Sequence, residues 1–116
     1  MTISVEEVFE TVNMTLQHHF DIRTVTLGIN LKDCMDRNLG GFCRRIRKRI
    51  VEKGQQLNRM ADAVEDQYGI PITNRRIAVT PVSLLMEPLP QRESTAARIA
   101  RELDGAAEKA RIDFIG

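Results

Sequence analysis

The sequence predicts an α/β fold, an N-terminal helix followed by β-α-β-α-β with parallel strands, and three observations carry that expectation. Val25, Leu27, Ile29 and Leu31 alternate with Thr24, Thr26, Gly28 and Asn30, a period of two that marks a strand. From Leu39 to Tyr68 apolar residues recur at intervals of three and four, the mark of one long amphipathic helix. A second alternation sets Ile77 and Val79 against Asn74, Arg76, Ala78 and Thr80, and it stops at Pro81, which removes a ladder donor.

The N-terminal helix is expected from Ile3 to about His18. Ser4 and Glu7 form a capping box, and Ile3 staples onto Val8 across the first turn. Val5, Val8, Phe9, Val12 and Leu16 then make one buried stripe. His18 and His19 close this helix without Cys, Asp or Glu partners at ligand spacing, so no metal is expected there. The first strand runs from about Arg23 to Leu31. Phe20 and Ile22 are out of phase with Val25, which implies a change of face near Arg23 and Thr24, by a bulge or a simple bend.

Asp33 to Asn38 reads as a loop. The long helix then begins at Leu39, or at Phe42 if Gly40 and Gly41 weaken its first turn. Ile46, Ile50, Leu57 and Val64 lie on its buried side. Gly69 stands where a C′ glycine belongs, and Pro71 forbids continuation. The second strand is expected from about Thr73 to Thr80, then a short helical turn from Val82 to Met86, broken by Glu87-Pro88-Leu89-Pro90. Ser94 or Thr95 caps the last helix. Its stripe of Ala96, Ile99, Ala100, Leu103, Ala106, Ala107 and Ala110 is small enough for close approach to a sheet. Ile112 to Ile115 reads as a third strand.

At 116 residues the chain makes a single α/β domain or the N-terminal fragment of a larger barrel protein. A formal net charge of +1 argues against general attraction to nucleic acid or anionic membrane. With no Trp and one Tyr, an aromatic platform for single strands is not expected either. Two cysteines are too few for a disulfide framework, and no leader-like or membrane-spanning apolar run stands out, so a reducing cytoplasm is the expected setting. The run Arg44-Arg45-Ile46-Arg47-Lys48-Arg49 invites a phosphate-binding reading. Asp62, Glu65 and Asp66 balance it along the same helix and no aromatic interleaves with it, so a solvated face is expected.

Strand, helix, strand, helix, strand implies parallel pairing through right-handed crossovers. The helices cover the aliphatic strand face. Thr24, Thr26, Asn30, Asn74, Arg76 and Thr80 must then look at a barrel interior, a solvated cleft or a partner chain. Three strands cannot close a barrel alone. No glycine-rich nucleotide loop follows any strand, and neither H-E-x-x-H nor G-x-S-x-G is present, so no cofactor is expected and no catalytic residue can be named.

Three stretches carry a family likeness: Phe20 to Cys34 (FDIRTVTLGINLKDC), Tyr68 to Pro81 (YGIPITNRRIAVTP) and Ile112 to Gly116 (IDFIG). In that order they resemble the pyruvate-formate-lyase-like family of uncharacterised proteins, across the whole chain. Members are several times longer, and this sequence resembles their N-terminal segment. The resemblance implies a glycyl-radical-enzyme-like α/β barrel, with the polar strand face turned into it. It implies no reaction, because the radical glycine loop and the central cysteine hairpin of such enzymes lie beyond the matched region.

The candidate ligand-binding residues are Thr26, Asn30, Cys34, Asn74 and Arg76. Asn74 and Arg76 suit a carboxylate or phosphate inside a barrel, while a structural salt bridge explains Arg76 equally well. Cys34 follows a parallel strand at its carboxyl end, where α/β sheets bind ligands. It is either a thiol near a site mouth or a small buried hydrophobe. Asp33 is expected to accept bonds from loop N–H groups ahead of the long helix. Two functions follow: a barrel part binding a small anionic metabolite, or an interaction module that completes its sheet as a homo-oligomer or against a partner chain.

Overall fold

The computed structural model describes residues 4–10 and 22–116. Residues 5–10 are helical (α1). Ser4 Oγ accepts the Glu7 N–H at 3.1 Å, so the hydroxyl half of the expected capping box is in place. Of the expected stripe, Val8 is buried, whereas Val5 is 58% and Phe9 43% exposed. The Phe9 ring instead meets Tyr68 edge-on, with centroids 6.2 Å apart. Val12, Leu16, His18, His19 and Phe20 lie outside the described residues.

Three strands form a parallel sheet in the order β1 (Ile22–Ile29), β2 (Ile72–Val79), β3 (Phe114–Ile115). The β1–β2 register keeps one offset from Ile22↔Ile72 to Ile29↔Val79, so no residue is inserted and the change of face after Ile22 is not a bulge. β1 stops at Ile29 rather than Leu31. Beyond it, Asn30 Oδ1 accepts the Lys32 N–H at 3.0 Å and Leu31 N–H turns to Thr80 Oγ1 at 3.0 Å. A 3₁₀ turn, Lys32–Cys34, follows.

The long helix α2 runs Leu39–Tyr68, with the bounds its sequence predicts. Asn38 is the N-cap and its side chain accepts the Gly41 N–H at 3.1 Å, which holds the first turn despite two glycines. Gly69 ends the helix in the left-handed region at φ 65, and its N–H reaches Glu65 O at 2.8 Å. The main partner of Asp33 is a side chain and not the N–H groups ahead of α2. Asp36 takes the Asn38 N–H, and the Asp33 carboxylate goes to Arg49.

A short helix α3 (Val82–Leu85) leads into α4 (Glu93–Lys109). Neither Ser94 nor Thr95 caps α4. The helix starts earlier, with Arg92 at the cap position and Glu93 in the first turn facing the positive dipole end, and Thr95 is buried within that turn. The C-terminus of α4 is a Schellman motif: Ile112 N–H bonds Ala107 O at 2.9 Å and Arg111 N–H bonds Glu108 O at 3.1 Å. Arg111 occupies the left-handed position at φ 58. Ile112 is thereby used by the helix end, which is why the third strand begins only at Phe114.

Because the strand order is sequential, right-handed crossovers place α2 and α4 on one face of the sheet. There Ile46, Ile50, Leu57, Ile77, Leu85 and Ile99 make a core that is at most 1% exposed. A second cluster joins Val8, Ile22, Ala61, Val64, Ile70 and Ile72.

Candidate binding face

The register fixes what shares the other face. Paired residues of neighbouring parallel strands point to the same side, and Cβ direction alternates along each strand. Thr24 pairs with Asn74, Thr26 with Arg76, and Arg76 with Phe114. Ile77 and Ile115, the next pair along, join the core, so Phe114 and Arg76 face away from the helices. Arg76 and Thr24 are exposed, Thr26 and Asn74 half-buried, and Phe114 is 56% exposed. Arg76 has no ion pair among the described residues. The structure therefore brings Thr26, Asn74 and Arg76 together on one face.

Asn30 lies at the carboxyl end of β1, in phase with them. It is part of a lock between strand ends: Thr80 Oγ1 donates to Asn30 Oδ1 at 3.2 Å while accepting the Leu31 N–H. Cys34 stands apart. It is 2% exposed and belongs to the main hydrophobic cluster, and burial pushes its thiol pKa up. The placement is that of a small buried hydrophobe, with the thiolate disfavoured as a nucleophile. Cys43 is buried in the same manner, and its thiol is likewise raised by burial.

Two grooves flank the strand ends. One of about 470 Å³ lies between β2, β3 and α4, with Thr80, Arg101 and Asp104 as its polar lining. Another of about 390 Å³ lies along β1 and α2, between Asn30 and Gln56, with Arg49 and Lys53 at its rim. Both sit near the carboxyl ends of parallel strands, where open α/β sheets take ligands.

Two arginines hold the structure together, and of these Arg49 carries no signal in spacing alone. Arg49 grips Asp33 with both nitrogens, at 3.0 and 2.8 Å, and donates to Asn30 O at 3.2 Å. That guanidinium holds the Asp33 carboxyl below the usual carboxylate range, and the carboxylate in turn raises Arg49. Arg49 is thus a half-buried clamp, not a freely solvated member of the basic run. Arg44, Arg45, Arg47 and Lys48 are exposed as expected, with Arg45 paired to Asp36 and Arg47 to Glu102, each at 3.5 Å.

Arg75 sits on the helix side of β2, in phase with Ile77. Its nitrogens reach Asn58 Oδ1 at 3.1 Å, Asp62 at 2.7 Å and Glu65 at 2.6 Å. Burial opposes its charge, but the two carboxylates more than offset this and its pKa is raised. The visible signal was a cation in the apolar phase of a strand, facing a helix that carries Asp62 and Glu65 three residues apart.

No helix among the described residues is long and apolar enough to cross a membrane, and no three metal-ligand side chains cluster among them. The chain is similar to a group of longer proteins of unassigned role. It is 44% identical over 116 residues to the UPF0210 protein of Methanococcoides burtonii, covering 100% of this chain and 25% of that relative. With the UPF0210 protein of Desulforamulus reducens it shares 41% identity over 113 residues, 97% of this chain and 25% of that one. The corresponding figures for the UPF0210 protein MJ1665 of Methanocaldococcus jannaschii are 39% over 117 residues, 96% and 26%. The chain thus spans about a quarter of the length of these curated relatives. Residues 13–116 match the model of the family described as Uncharacterised ACR (DUF711), and the chain belongs to that family.

Proposed function

We propose that this chain is the N-terminal part of a pyruvate-formate-lyase-like barrel protein whose polar strand face, turned inward, holds a small anionic metabolite. The observation that carries the reading is Arg76. It is exposed, without an ion pair among the described residues, and shares its face with Thr26 and Asn74 opposite the helix layer. A guanidinium flanked by a hydroxyl and a carboxamide suits a carboxylate or phosphate. Asn30 closes the same face at the strand ends. In this reading turnover belongs to the longer protein, of which the chain spans about a quarter. The free thiols Cys34 and Cys43 suit a reducing cytoplasm. Thermal unfolding of the chain against small carboxylates and phosphate esters tests this. The expected result is a saturable rise in midpoint that Arg76→Gln removes. A rise that survives Arg76→Gln, or no rise with any anion, overturns it.

A second reading is that of an interaction module that completes its sheet with a second copy. Phe114 on the two-residue outer strand favours it, being 56% exposed. Light scattering over a concentration series tests it. A monomer throughout rules it out.

A further inference from the structure

We propose that the anion taken by this face is an aryl carboxylate, its carboxylate held by Arg76 and its ring laid against Phe114. The inference rests on the reading that the face binds a small anion, and it narrows the ligand class. Arg76 and Phe114 are directly paired across β2 and β3, and Thr26 is paired with Arg76 from the other side. Thr26, Arg76 and Phe114 therefore form one row across three strands, with neighbouring backbones about 4.8 Å apart. Phe114 is not a member of the core: its neighbour Ile115 packs inward and Phe114 is 56% exposed. An exposed aromatic is unremarkable singly, but here it is locked by register beside a guanidinium without an ion pair among the described residues. A guanidinium and a phenyl ring one strand apart offer a charged fork and an apolar plane side by side. A flat anion of benzoate size meets both at once. Its carboxylate accepts from Arg76, with the Thr26 hydroxyl on the far side, while its ring stacks offset on Phe114 at the usual 4.5–7 Å or so between centroids. Acetate and phosphate engage the polar groups but not the ring, and a puckered ring fills the volume without stacking.

The test titrates the 116-residue chain with benzoate, cyclohexanecarboxylate, acetate and inorganic phosphate, reading affinity and amide shifts by heteronuclear NMR. Wild type is compared with Phe114→Leu and Arg76→Gln. Both sites are exposed, so both variants should fold, and far-UV dichroism checks this. Benzoate should bind about threefold to tenfold tighter than cyclohexanecarboxylate, the size of one aromatic pair. The amides of Thr26, Arg76 and Phe114 should shift together. Phe114→Leu should bring the two ring acids level, and Arg76→Gln should weaken every anion. Equal binding of the two ring acids, or a benzoate preference that survives Phe114→Leu, overturns the aryl assignment while leaving the anion reading standing. If no anion binds the wild type, both fall. If Phe114→Leu instead abolishes a dimer and benzoate is without effect, Phe114 belongs to a contact between copies and the assignment is wrong.

Discussion

Gly54 in α2 and Ala110 at the end of α4 touch so closely that a Cβ on Gly54 would stand 2.7 Å from the Ala110 Cβ, and 3.1 Å from Ile112 Cγ1. The contact is sealed by Asn58, whose Nδ2 donates to Ala110 O at 2.6 Å. The opposite case is Gly105 on α4, where nothing lies within 4 Å of an added Cβ.

The two glycines therefore respond to alanine with opposite signs. Alanine is the better helix former by about 1 kcal/mol, so Gly105→Ala should raise stability by up to that amount. Gly54→Ala receives the same helix gain but must push α4 away, and overpacking of a filled contact costs about 1–3 kcal/mol. Gly54→Ala should lower the urea midpoint. Equal gains at both positions would mean that the helices are not packed through Gly54.

Arg111 is a residue in glycine's place. The Schellman motif of α4 needs a left-handed C′ residue, and φ 58 costs an ordinary side chain about 1–2 kcal/mol. Its side chain is exposed, so truncation forfeits little packing. Arg111→Gly should stabilise the chain by about 0.5–1 kcal/mol after the added flexibility of the unfolded state is subtracted. Gly69→Ala, at φ 65 after α2, should cost about 1 kcal/mol. Thermal unfolding of the two variants gives both signs.

The same contrast explains what was legible in the residues. Around α2 the spacing of three and four, Gly69 and Pro71 agreed, and the end of the helix follows from them; the start, open between Leu39 and Phe42 in the residues, is decided by the Asn38 cap. At the end of α4 no glycine marks the turn. Ile112, apolar and followed by Phe114, then reads as strand when it is the closing residue of a helix motif. For the site, period two was enough to put Thr26, Asn74 and Arg76 on one face. It could not bring in Phe114, because the register of β3 depends on how α4 ends. Nor could it find the Arg49 clamp on Asp33, which joins residues 16 apart through a tertiary fold.

The Arg75 network should be unequal in its parts. Asp62 is 64% exposed at its side chain and Glu65 34%, so water screens the first partner more. Asp62→Asn should cost under about 0.5 kcal/mol and Glu65→Gln up to roughly 1 kcal/mol. Arg75→Ala should cost more than either, roughly 1–3 kcal/mol, because it strips Asn58 Oδ1 of its donor and leaves a gap in a partly buried site. A double-mutant cycle between Arg75 and Glu65 measures the coupling, and a value near zero would reduce the pair to a surface contact.

The clamp of Arg49 on Asp33 should appear as an acid-dependent part of the stability. The Asp33 carboxyl is held below its ordinary value by Arg49, so the folded state binds this proton less readily than the unfolded chain. The contribution is then fully present above the unfolded carboxylate value of about 3.9, and it is lost as pH falls through the lower folded value. Asp33→Asn removes the charge at every pH while leaving Arg49 its bond to Asn30 O. Its urea midpoint should lie below that of the wild type at pH 7, and the gap should close in acid, below the ordinary carboxylate range. High salt at pH 7 should narrow the same gap, since Asp33 is exposed at the surface. Arg49→Lys should resemble Asp33→Asn more than the wild type, because an ammonium cannot make the two-pronged contact seen at 3.0 and 2.8 Å. A gap that persists unchanged through the acid range would show that Asp33 acts through the shape of the Lys32–Cys34 turn and not through its charge.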